Sequence, residues 1–177
     1  MLNTVCLMLV WCAAAWDLRT RRIPNRLILA GAAVGLLLQG VLAGPSGILA
    51  ATLGLLVGLA ILMPGYLMGF TGAGDAKLMA SIGTLLGPLG VLQVAIVSML
   101  VGGIVGICFV ASSILSRDAI SPWSRYGLMA KTLLYTGKPL YIAPDKGEVM
   151  GKKFPFAVSI AIGGTGWIIW QWSLVVG

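Results

Sequence analysis

The chain has 177 residues, of which 59% are hydrophobic and 10% charged, with a formal net charge of +7 and no histidine. That balance lies far outside the range of soluble domains, so a soluble enzyme or binding module is excluded and the lipid bilayer is the first partner. The excess positive charge does not indicate a nucleic-acid binder, because the basic residues sit in connecting segments without an interleaved aromatic motif, the distribution that membrane topology produces.

A helix that crosses a hydrocarbon core of about 30 Å needs roughly 20 apolar residues. Six stretches are candidates: Leu2 to Trp16, Leu27 to Ala43, Ile48 to Met68, Ala76 to Leu89, Val91 to Leu115 and Phe156 to Val176. The expected fold is therefore an all-α polytopic bundle of about six transmembrane helices, a single domain over 1–177. The fourth stretch is the shortest. Up to the Gly87-Pro88 break it would span about 17 Å at 1.5 Å per residue, and it crosses only by extending or by thinning the bilayer.

Charge placement argues that it crosses. Arg19, Arg21, Arg22 and Arg26 lie between the first two spans, Lys77 opens the fourth, and the other basic residues lie from Arg117 to Lys153. With six spans all three groups fall on one side, which the positive-inside rule makes cytoplasmic. Both termini are then outside, with three cytoplasmic loops. No basic residue precedes the first apolar run, so a cleavable signal is not expected and span one stays in the mature chain.

Cys6, Cys12 and Cys108 fall inside spans and form no CxxC pair, so they read as packing residues, with no zinc site, disulfide framework or cofactor expected. Glycines recur at GxxxG spacing in Gly31/Gly35, Gly40/Gly44, Gly54/Gly58, Gly83/Gly87 and Gly102/Gly106. Small residues one turn apart let helix backbones approach closely in lipid. The long polar stretch at about 116–153 reads as a cytoplasmic or interfacial connector. Within it Ser121-Pro122 resembles a helix start, followed by apolar Trp123, Leu128, Met129, Leu133 and Leu134 that suit a helix lying in the interface.

The chemistry-bearing residues are two aspartates. Asp17 ends the span that runs inward and Asp75 begins one that runs outward, so both lie at the cytoplasmic membrane surface. An acid beside a membrane span is costly and marks a candidate site. Two carboxyls in contact cannot easily both ionise, so one stays protonated while the other is an anion. The anion can take a proton from water while the acid polarises a peptide carbonyl, as in aspartic proteases. Gly72 and Gly74, in Gly72-Ala73-Gly74-Asp75, permit close approach of an extended chain. Lys77 either favours ionised Asp75 or serves topology. Local alternatives exist: Asp17 can pair with Arg21 one turn away, and Asp75 can cap a helix starting at Ala76. A proton-coupled transporter or other non-enzymatic membrane protein would also use membrane acids, although no span carries a charge deep inside.

Asp17 followed by Ile23-Pro24-Asn25, then Gly72-Ala73-Gly74-Asp75-Ala76-Lys77-Leu78 and Pro155-Phe156, resemble the type IV prepilin peptidases, membrane aspartic peptidases of the GxGD kind. The length and six-span layout look like the branch that serves Flp (tight-adherence) pili. The resemblance implies that Asp17 and Asp75 are the catalytic pair of an endopeptidase in the cell's inner membrane, active site facing the cytoplasm. Its substrate would be a prepilin or pseudopilin cut between a short basic leader and a hydrophobic helix, with Pro24 and Asn25 shaping the loop beside Asp17. Larger members carry a CxxC-bearing insert and methylate the new N-terminus. This chain lacks such cysteines, so no methyltransferase domain is expected. Ala157 stands where relatives often have glycine. An archaeal preflagellin peptidase is the nearest rival within the same chemistry.

Overall fold

The computed structural model describes residues 1–67, 71–115, 135 and 156–176. Among them are four helices: α1 (Leu2–Thr20), α2 (Asn25–Leu67), α3 (Ala73–Leu115) and α4 (Phe156–Val176). The first three are long and apolar enough to cross a membrane, over Leu2–Thr20, Asn25–Leu67 and Ala73–Cys108. The chain is a membrane protein by that measure, and many large apolar side chains point outward, among them Leu29, Leu37, Val41, Leu49, Leu100 and Ile169. An apolar exterior costs nothing where lipid is the solvent.

Two of the helices are not continuous rods. α2 contains 43 residues but breaks at Gly44, with φ 62° and ψ −143°, just before Pro45. α3 also contains 43 residues and breaks at Gly87, with φ 73° and ψ −179°, just before Pro88. Positive φ at these values is open to glycine and strained for other residues, and proline cannot continue the preceding hydrogen-bond ladder. The chain doubles back at Gly44, which brings Gly47 so close to Gln39 that a Cβ there would strike its backbone oxygen. It turns sharply at Gly87 as well: a Cβ at Gly90 would lie 2.7 Å from the Leu86 Cβ, against the 5–6 Å expected one turn along a helix. Each of α2 and α3 is thus a pair of arms.

The chain divides into two units, Met1–Gly103 with Pro155–Gly177, and Ile104–Phe154. In the first unit the leading arm of α3 is the packing centre, with Leu78, Met79, Ile82 and Leu85 fully buried. The leading arm of α2 runs alongside it in the same direction: Gly31 faces Ser81, Gly35 faces Thr84, and Gln39 Nε2 donates to the Leu85 carbonyl over 3.0 Å. The second arm of α2 runs the other way, Gly54 against Gly83 and Gly58 against Met79, close enough that a Cβ at either α2 glycine would meet α3 backbone. α1 reaches the same core through Leu9, whose side chain lies against Gly31. Beyond Gly87, α3 packs antiparallel on α4, with Trp167 Nε1 donating to Gln93 Oε1 over 3.0 Å, Ser98 against Gly163 and Phe156 against Gly102. Trp11 Nε1 donates to Thr165 Oγ1 over 3.1 Å and ties α1 to α4.

Several glycines expected to pack do so, Gly31, Gly35, Gly54, Gly58 and Gly83 among them, whereas Gly44 and Gly87 make the turns. Of the cysteines only Cys6 is buried; Cys12 and Cys108 are exposed and are not core residues. The second unit is described only over 104–115, as the end of α3, and at residue 135. The helix expected after Ser121-Pro122 and the Pro155 of the last motif lie outside the described residues.

Candidate active site

α1 continues one turn past its apolar stretch, so Asp17 is a helical residue and not a loop residue. The turn ends at Arg21, which takes a left-handed conformation (φ 54°, ψ 27°) while its backbone N–H donates to the Asp17 carbonyl over 2.8 Å. A left-handed residue after the last turn is a common helix stop, though usually glycine fills it. It redirects the chain into Ile23-Pro24-Asn25. The Pro24 carbonyl then accepts from the N–H groups of Leu27 and Ile28 at 3.1 and 3.4 Å as α2 begins.

α3 begins at Ala73, three residues earlier than a helix capped by Asp75 would. Asp75 therefore lies in the first turn, where backbone N–H groups have no helical acceptor. Its carboxylate Oδ2 reaches back and accepts the Gly72 N–H over 3.0 Å, while the Gly72 carbonyl accepts the Asp75 and Ala76 N–H groups at 3.1 and 3.3 Å. This is the acidic half of a capping box, and the positive end of the helix dipole favours the anion there. A Cβ at Gly72 would sit 3.1 Å from Asp75 Oδ2, so the missing side chain leaves the carboxylate its place. Gly74 has a different neighbour: its open face meets Ile23, at 3.4 Å from an ideal Cβ.

Asp17 and Asp75, 58 residues apart in the chain, arrive at the same end of the first unit. Both are 8% exposed. Asp17 lies near enough for its charge to act on Asp75, and Arg21 near enough to act on Asp17. Lys77 is exposed, and its Nζ donates to Asn25 Oδ1 over 3.2 Å, joining the start of α3 to the start of α2. Of the site residues expected from the sequence, Gly72 is hydrogen-bonded to Asp75, Gly74 faces Ile23, and Lys77 is joined to Asn25, which follows Pro24 at the start of α2. Among the described residues no three His, Cys, Asp or Glu side chains gather as a metal site requires.

Two residues had no role assigned from the sequence, Ile23 having entered only as part of the Ile23-Pro24-Asn25 motif. Ile23 packs on Gly74, and Thr71, half-buried, folds back on the end of α2: its N–H donates to the Gly65 carbonyl at 3.2 Å and its hydroxyl to the Leu62 carbonyl at 3.4 Å. A threonine before a glycine carries no signal of its own, and only proximity reveals its partners.

Two buried carboxyls thus lie at one end of an apolar bundle, near enough for the charge of one to act on the other, where each is costly to ionise. The sequence model of one family, described as the type IV leader peptidase family, matches residues 4–107 and so includes both aspartates. No curated protein and no solved structure matches significantly. The family match covers more than half of the 177 residues, and the chain belongs to the type IV leader peptidase family.

Proposed function

Starting from membership in the type IV leader peptidase family, we propose that the protein is an aspartic endopeptidase that removes the short basic leader of an Flp-type prepilin, with Asp17 and Asp75 as its catalytic pair. The observation that best supports this reading is the convergence of two buried acids, from the last turn of α1 and the first turn of α3, at one end of an apolar bundle.

In this reaction the anionic carboxylate takes a proton from a water molecule, and the water oxygen bonds to the carbonyl carbon of the scissile peptide. The protonated carboxyl gives its proton to the carbonyl oxygen, forming a neutral tetrahedral intermediate. On collapse the C–N bond breaks, a proton passes to the leaving nitrogen, and the pair returns to one proton between two acids. The new N-terminus begins the hydrophobic helix of the mature pilin. Gly72 and Ala73, both exposed beside Asp75, suit an extended substrate segment lying across the turn.

The proposed setting is the inner membrane, with six spans formed by α1, the two arms each of α2 and α3, and α4. Both termini lie outside and the dyad faces the cytoplasm. The arginines at the α1–α2 junction and Lys77 support that orientation through the positive-inside rule. The whole chain acts as one peptidase domain with a connector at about 116–153 and no methyltransferase function.

The test is leader cleavage of a co-expressed Flp-type prepilin by the wild type, Asp17→Asn and Asp75→Asn, with membrane levels checked by blot. Loss of cleavage in both variants at normal levels is the expected result. Cleavage that persists in either variant refutes the two-acid mechanism.

A further inference from the structure

The turn that carries Asp75 is fastened to the preceding helix by the backbone and the side chain of one residue, Thr71. α2 ends at Leu67, yet Thr71 returns to its last turns, with its N–H on the Gly65 carbonyl at 3.2 Å and its hydroxyl on the Leu62 carbonyl at 3.4 Å. Gly65 makes room for this: a Cβ there would lie 3.1 Å from Thr71 Oγ1 and 3.3 Å from Thr71 Cγ2. The next residue, Gly72, offers its N–H to Asp75 Oδ2 at 3.0 Å. Two hydrogen bonds therefore tie Thr71 to α2 carbonyls, and the peptide bond from Thr71 carries the Gly72 N–H that binds one oxygen of Asp75.

We propose that Thr71 is a positioning residue of the dyad, which fixes the Gly72 N–H and through it the plane of the Asp75 carboxylate. Thr71 touches neither acid. Its effect is geometric: holding Oδ2 against Gly72 determines where Oδ1 points, and small displacements of a catalytic group cost heavily in rate because reaction requires a near-attack geometry. The bond from Gly72 also stabilises the ionised form of Asp75, so loosening the strap alters the protonation of the pair as well as its orientation. Leu62 and Gly65 supply only backbone carbonyls, so this function resides in Thr71 and in the space left by Gly65.

This inference rests on the two-acid reading, and the experiment separates the two. Cleavage kinetics of purified, full-length protein are measured across pH for the wild type, Thr71→Val, Thr71→Ser, Gly65→Ala and Asp75→Asn, with detergent melting temperatures as a folding control. Thr71→Val keeps the shape and removes the hydroxyl. It is expected to lower kcat by about tenfold to a hundredfold with KM within about twofold, and to move the acidic limb of the pH profile upward as the Gly72 bond weakens. Thr71→Ser is expected to retain wild-type kinetics, and Gly65→Ala to follow Thr71→Val, because its methyl displaces the strap. Wild-type kcat and pH profile in Thr71→Val overturn the inference, as does equal loss in Thr71→Val and Thr71→Ser. Persistent cleavage by Asp75→Asn instead overturns the two-acid reading and the strap's role with it.

Discussion

Lys77 Nζ donates a hydrogen bond to Asn25 Oδ1 over 3.2 Å, across 52 residues of chain. It joins the helix that carries Asp75 to the one that begins just after the Asp17 turn. An exposed contact of this kind adds little to global stability, so its importance lies in holding two elements at a fixed separation. The contact predicts coupling between the two positions. Lys77→Met and Asn25→Leu should each lower leader cleavage severalfold, and the double variant should be no worse than the weaker single one, a coupling of about 0.5–1.5 kcal/mol. Asn25→Asp should retain activity, since its carboxylate also accepts from Lys77. Additive losses in a double-mutant cycle would show that the two side chains act separately.

Gly72 and Gly74 should differ although they sit in the same motif. A methyl at Gly72 would come within 3.1 Å of Asp75 Oδ2, whereas a methyl at Gly74 meets Ile23 at an ordinary 3.4 Å. Gly72→Ala is expected to reduce kcat by about tenfold or more through displacement of the carboxylate. Gly74→Ala should remain within about threefold of wild type, because its methyl meets only the Ile23 side chain at van der Waals distance. Steady-state cleavage assays of both variants, at matched protein levels, decide the point.

The two glycine classes predict different failures of the bundle. Gly54→Val and Gly58→Val drive a side chain into α3 backbone, and overpacking of that sort costs roughly 1–3 kcal/mol or more. Gly44→Ala and Gly87→Ala meet no atom within 4 Å, yet both positions have positive φ, so strain of about 1–3 kcal/mol is expected there too. Gly166→Ala, in open space and within a regular helix, should be neutral or slightly stabilising. Melting temperatures in one detergent, compared across these variants, test the ranking.

Cleavage should depend on pH as a coupled pair. At low pH both carboxyls are protonated and no base remains; at high pH both are ionised and no acid remains. The rate at saturating substrate should therefore rise and then fall, with limbs that belong to the pair and not to Asp17 or Asp75 separately. Measuring kcat under single-turnover conditions, so that chemistry is limiting, checks this. A profile that stays level from acidic to neutral pH would contradict shared-proton chemistry.

The sequence by itself determined the membrane class, the apolar segments and the breaks at Gly44-Pro45 and Gly87-Pro88, and it singled out Asp17 and Asp75 as candidate acids. Each is a local matter. Hydrophobic length is additive along the chain, a Gly-Pro pair ends a helix wherever it stands, and a carboxyl beside an apolar segment needs a reason to be there. The matched family and the motif glycines belong to the same local information.

Only the tertiary structure decided what those residues do to one another. Sequence left Asp75 as either a helix cap or a catalytic acid. The fold starts α3 at Ala73 and gives the carboxylate a capping bond and an acidic neighbour together. It also separated the GxxxG glycines into those that bring backbones together and those that turn the chain, a difference set by which surface each faces. Thr71 and Ile23 acquired roles for the same reason. Spacing along the chain fixes neighbours on one helix, but proximity between α1, α2 and α3 depends on which faces pack, and in a bundle of nearly uniform apolar surface that is settled by the close fit of small residues across all the helices at once.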